Sequence, residues 1–101
     1  MLFMATLVHT PEQCFGRKEN AAEGKRWVEN MESLAKKTGV KILGAYICPN
    51  EHTFYFILET DDFGAVSEFL SPPMLTHHSA HISPIIPLKK AFGQSYMKKM
   101  K

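Results

Sequence analysis

Apolar residues follow two spacings along this chain, and the switches between them divide it into six main elements. Residues 2–9 are apolar on both parities, with Leu2, Met4 and Val8 on one and Phe3, Ala5 and Leu7 on the other. That is the pattern of a strand covered on both sides. Thr10-Pro11-Glu12-Gln13 supplies a capping Thr and a Pro at the first helical position, and Gly16 limits this segment to about one turn. From Asn20, read as an N-cap with Glu23 three residues on, the spacing becomes helical. Trp27, Val28, Met31, Leu34 and Ala35 fall on one face, and Gly39 ends the run. Residues 40–48 form a second strand, again apolar on both parities, and Pro49-Asn50-Glu51-His52 turns the chain. Residues 53–59, Thr-Phe-Tyr-Phe-Ile-Leu-Glu, are the clearest strand. Thr60-Asp61-Asp62 caps a short helix with Phe63, Val66, Phe69 and Leu70 inward, and Pro72-Pro73 stop it. A loop leads to a last strand over residues 81–88, whose Pro84 and Pro87 point to a sheet edge.

The order is β-α-β-β-α-β, the split βαβ arrangement of a ferredoxin-like α+β fold: a four-stranded antiparallel sheet with two helices on one face. Two helices cover only one side of such a sheet, while the first three strands carry apolar residues on both. A second copy packed sheet to sheet is the expected cover, so a homodimer is predicted. The chain reads as one folded domain over residues 1–88 and a basic tail over residues 89–101.

Charge sharpens that division. The net +2 of the chain conceals a body, residues 1–88, with seven basic residues against ten acidic ones, a net of −3. Lys89, Lys90, Lys98, Lys99 and Lys101 follow without any acid. A tail with no arginine and few aromatics argues against nucleic-acid binding and for a solvated terminus. No apolar run reaches the roughly 18 residues that span a bilayer, so no membrane partner is expected. The opening residues read as a strand and not as a secretion signal. With two cysteines of unrelated spacing, Cys14 and Cys48, a cytoplasmic protein with reduced thiols is expected.

The candidate chemistry is histidine. His77, His78 and His81 lie within five residues, and His9 and His52 stand at the ends of other strands. Imidazole titrates near neutrality and binds transition metals. His77, His78 and His81 are therefore the expected metal ligands, with His9 or a cysteine completing the set. His9 ends its strand where the last strand begins, which favours convergence. A transition metal is thus the candidate cofactor, its identity left open. Cys14 falls near a helix start, where a dipole favours a thiolate. Trp27, Tyr46 and Tyr55, with His9, supply aromatics for a pocket holding a flat apolar small molecule. Gly-rich phosphate loops, Ser–His–Asp patterns and recognised zinc spacings are absent, which counts against nucleotide hydrolysis and ordinary hydrolases.

Met1-Leu2-Phe3-Met4, the run Gly39-Val40-Lys41-Ile42-Leu43-Gly44-Ala45-Tyr46, His52-Thr53-Phe54-Tyr55 and Glu59-Thr60-Asp61 together resemble small proteins of the dimeric α+β barrel superfamily. The resemblance covers roughly residues 1–88. It implies the fold and the sheet-to-sheet dimer but no particular activity, since members include cofactor-independent monooxygenases, isomerases, haem-degrading enzymes and a metal-binding protein. Two functions follow as expectations. One is a small dimeric binding protein for an apolar molecule or a transition metal, using strand-end histidines. The alternative is a monooxygenase or isomerase-like enzyme in which a cavity histidine moves a proton.

Overall fold

The computed structural model describes residues 1–93 and places four antiparallel strands in one open sheet. The elements are β1 (Leu2–Val8), α1 (Lys18–Thr38), β2 (Lys41–Cys48), β3 (Thr53–Glu59), α2 (Phe63–Phe69), α3 (Met74–His77), β4 (Ser79–Ile85) and α4 (Leu88–Phe92). Two single 3₁₀ turns, Pro11–Gln13 and Pro49–Glu51, sit in the connections after β1 and β2. The strand order is β2-β3-β1-β4, which read from the other edge is the order a split βαβ pair produces. The expected α+β ferredoxin-like fold is what the chain adopts.

Phe3, Ala5 and Leu7 of β1 and Phe56 and Leu58 of β3 point to the helical side and are buried there. Trp27 and Ala35 of α1, and Ala65, Val66 and Phe69 of α2, meet them in one apolar core that Leu70 and Met74 complete. Trp27 lies edge-on to Phe56 at 5.7 Å and tilted against Phe69 at 5.4 Å, the offset geometry that aromatic pairs favour. Gly39, with φ 82°, takes the left-handed conformation that ends α1, and its N–H donates to the Ala35 carbonyl at 3.0 Å.

Several expectations need correction. Asn20 is not the cap of the main helix, which begins two residues earlier behind Arg17. Its amide is drawn instead to the preceding loop, donating to the carbonyls of Glu12 at 2.9 Å and Cys14 at 3.2 Å. Val28, placed on the apolar face, is 52% exposed and borders a groove. The last strand starts at Ser79 rather than His81 and ends at Ile85 rather than Leu88. Pro84 is accommodated because β4 is an edge strand, and Pro87 stands just ahead of α4. Lys89 and Lys90 of the expected tail belong to α4, whose Ala91 is buried; residues 94–101 lie outside the described residues.

In β2 the apolar residues on both parities have a different cause from the one expected. A bulge at Leu43 separates Ile42, opposite Leu58, from Gly44, opposite Ile57. An extra residue reverses the alternation. Ile42 before the bulge and Ala45 and Ile47 after it therefore all face the helical side, opposite Leu58, Phe56 and Phe54.

Candidate metal centre

The site begins as an accident of register. Val8 pairs with Thr53 on one side and with Ser79 on the other, so the residues that leave the sheet at this end are His9, His52 and His78. The N–H of His9 donates to the carbonyl of His52 at 3.1 Å, adding one bond to the ladder. His52 closes the 3₁₀ turn Pro49–Glu51 with φ 51° and ψ 46°, a left-handed conformation that histidine enters more often than most residues but that still costs about 1 kcal/mol or more. The rings of His9 and His52 lie 5.2 Å apart at 70°, and those of His9 and His78 lie 4.8 Å apart at 81°.

His9 stands at the centre, only 6% exposed. Among the described residues, neither of its ring nitrogens has a hydrogen-bond partner, nor do Nδ1 of His52 and Nε2 of His78. A buried donor or acceptor left without a partner costs roughly 1–3 kcal/mol. Nitrogen atoms of three adjacent imidazoles in this condition call for a partner, an ordered water or an ion. Burial is the main force holding His9 below the ordinary imidazole range, with the charges His78 and His52 would carry pushing the same way. His78 is lowered too, first by burial, against the opposing hydrogen bond to Met74 and with help from His77. Both effects favour neutral rings, the form that ligates metal.

Sulfur joins them. Cys14 ends the 3₁₀ turn Pro11–Gln13, and its Sγ accepts the N–H of Gly16 at 3.3 Å. Asn20 and the N–H of Arg17 hold the Cys14 carbonyl, tying the loop to the start of α1. One ligand atom each from His9, Cys14 and His52 can be chosen so that all lie within 4.8 Å of one another. Around a tetrahedral zinc ion the ligand atoms stand roughly 3.3–3.8 Å apart, so closing on an ion asks for side-chain adjustments on the order of an ångström.

Aromatic rings wall the cluster. Phe54 lies 5.8 Å from His9 and 5.3 Å from His78, while Phe15 lies 5.6 Å from His78 and 5.9 Å from Phe54. On the far side of Phe54 an open apolar groove of about 210 Å³ runs between α1 and the β2 edge, lined by Trp27, Val28, Met31, Ala45, Ile47 and Phe56 as well as by Tyr46.

The structure sorts the residues singled out from the sequence. His77, His78 and His81 do not converge as a trio. His77 uses both ring nitrogens elsewhere, Nε2 with Glu23 Oε1 at 2.8 Å and Nδ1 with the Gln13 side chain. His81 pairs with Thr6 and so shares the open, helix-free face of the sheet, because α3 gives way to an extended chain before it is reached. His78 alone of the three reaches His9. Of the pocket aromatics, Trp27 and Tyr46 border the groove. Tyr55 lies opposite Tyr46 on the open face, and its hydroxyl donates to Glu51 at 3.3 Å. His52, left at a strand end by the sequence reading, is the member it missed. The signal was available: pairing the first strand with the third in register leaves positions 9 and 52 side by side.

A family model described as "Domain of unknown function (DUF3303)" matches residues 1–93. No curated protein matches the chain in sequence. Among solved structures, the chain is similar to a protein from Deinococcus radiodurans R1 that carries the provisional description of a transposase, with 11% identity and a TM-score of 0.53 over 98% of this chain and 89% of that one. At that identity the likeness is one of fold.

Proposed function

The chain belongs to the DUF3303 family of domains of unknown function, and from that premise we propose that it is a transition-metal-binding protein whose ligands include His9, Cys14 and His52. The observation that carries this reading is the group of unpartnered, buried imidazole nitrogens beside the Cys14 sulfur. Two imidazoles and a thiolate suit a borderline-soft ion, zinc or monovalent copper ahead of magnesium, calcium or manganese. When bound, such an ion would hold its ligands together at this end of the sheet; the chain itself supplies the donors, the aromatic wall of Phe15 and Phe54 and the bonds that fix the cysteine loop. Free Cys14 and Cys48 suit a reducing compartment, and we place the protein in the cytoplasm on that ground.

The test is elemental analysis of untagged protein, followed by titration with Zn²⁺. About one equivalent per chain is expected, falling to background in His9→Ala. Absence of binding after zinc supplementation overturns the proposal.

The apolar groove behind Phe54 favours a second ligand, a flat apolar small molecule. It ranks below the metal because the groove, open to water, leaves one nitrogen of its lining unpartnered among the described residues, the indole N–H of Trp27, whereas the histidine cluster leaves four.

We also infer a homodimer. The open face of the sheet carries Leu2, Met4 and Val8 of β1, Ile57 of β3 and Ile85 of β4 around Thr6, Ser83 and His81, and among its described residues the acid and the lysine, Glu59 and Lys41, face each other at one end. An apolar-centred face whose charges of opposite sign pair at one end is complementary to itself. Sedimentation should show a dimer for the parent protein and a monomer for Ile57→Glu; a parent protein that is monomeric at micromolar concentration removes this reading.

A further inference from the structure

The His78 ring is held in a specific way. Its Nδ1 lies 2.6 Å from the carbonyl of Met74, four residues back across the end of α3. A carbonyl can only accept, so Nδ1 carries the proton and, in the neutral ring, Nε2 carries a lone pair. That lone pair is buried and has no donor among the described residues. The rings around it are Phe15, Phe54 and His9, and only His9 among them bears nitrogen. A backbone carbonyl that fixes the tautomer of an imidazole is the outer-shell arrangement that metal-ligating histidines use.

Resting on the metal reading above, we propose that His78, which stands outside the 4.8 Å group of His9, Cys14 and His52 and closes on it as the ion enters, is the fourth ligand and that the centre is then a closed, tetrahedral site of three imidazoles and one thiolate. The Cys14 thiol gives up its proton to solvent as the ion enters. Four protein ligands leave no position for water or substrate, which separates sites that hold a structure together from sites that do chemistry. The ligands come from three separate connections: the loop after β1, the turn between β2 and β3, and the junction of α3 with β4. An ion there joins all three at one end of the sheet. The centre is thus assigned to holding the metal, not to catalysis at it.

Co²⁺ replaces Zn²⁺ in such sites and reports geometry through its visible absorption. Untagged protein titrated with Co²⁺ should show the intense visible bands of a tetrahedral ion together with a sulfur-to-cobalt band in the near ultraviolet. His78→Ala should keep the sulfur band, show visible bands shifted from the parent's as water replaces the third imidazole, and bind at least about tenfold more weakly. His78→Asn retains a donor for the Met74 carbonyl but no imidazole lone pair. It should behave like His78→Ala, and recovery of the parent's own spectrum and affinity in this variant would show that the hydrogen bond was the whole role and overturn the assignment. His81→Ala, on the opposite face, should match the parent. A parent protein that binds cobalt with a weak, six-coordinate spectrum also overturns the closed site while leaving metal binding intact. A parent protein that binds neither Co²⁺ nor Zn²⁺ overturns both readings. Far-ultraviolet circular dichroism and thermal midpoints of each metal-free variant confirm that the comparison is between folded proteins.

Discussion

Phe15 rests directly on Gly24. A methyl group added at Gly24 would come within 2.6 Å of both Cβ and Cδ2 of Phe15, nearer than any carbon atoms pack. The glycine lies in the second turn of a helix, where it normally weakens the element by about 0.8–1.0 kcal/mol relative to alanine. Here its lack of a side chain lets Phe15 lie down over the helix and reach His77, His78 and Phe54.

Gly24→Ala therefore reverses the usual sign. Helix propensity alone predicts a gain, but displacement of Phe15 at its Cβ is expected to give a net loss of about 1–3 kcal/mol, the range for overpacking. Zinc affinity should fall with it, because Phe15 and Cys14 are neighbours in the chain. Urea denaturation and a zinc titration on the same protein check both parts. A stabilised variant with unchanged affinity would show that Phe15 has no part in shaping the site.

His9→Leu separates function from stability. It removes two unpartnered buried nitrogens and keeps roughly the same volume, so the metal-free protein is expected to be more stable by about 1 kcal/mol, while metal uptake is lost. Chemical denaturation in the presence of a chelator measures the first, and elemental analysis the second. Destabilisation by several kcal/mol would mean that His9 has structural partners and that its nitrogens were not waiting for a ligand.

Acid should weaken the metal-free protein through His9 and His78. Both are held below the ordinary imidazole value in the folded state, so in the window beneath about pH 6.5 the unfolded chain binds protons that the folded one refuses. Stability is then fully present above that pH and declines as pH falls towards the folded-state values. Urea midpoints measured across this range should show the decline, and His9→Leu should flatten part of it. Metal uptake should fall in the same direction, since protons compete for the same nitrogens.

How far the chain could be read in advance depended on whether the signal was local. The α1 face apart from Val28, the β2–β3 hairpin and the order of the six main elements follow from spacing and turn residues, and each is present. Leu43 defeated the same logic, because a bulge and a strand buried on both faces leave the same apolar pattern on both parities, and only pairing with β3 tells them apart. Asn20 has the composition of a cap, yet its amide meets two loop carbonyls that are remote in sequence terms and adjacent only in the fold. The histidines show the same limit. Three within five residues look like a site, but the backbone turns between His77 and His81, and position 78 alone meets His9. The partner that matters as much, His52, is 43 residues from His9 in the chain and next to it across a strand pair.

Trp27 turns the core into a gauge of the site. It is the only tryptophan in the chain, it is buried against Phe56 and Phe69, and Phe56 is stacked on Phe54, the ring that touches His9 and His78. Its fluorescence is thus free of any other indole and lies one aromatic pair away from the histidines. Loading with a quenching ion such as Cu²⁺ should dim it and loading with Zn²⁺ should not, so the occupancy of the centre can be followed in real time, in the unlabelled protein, by light alone.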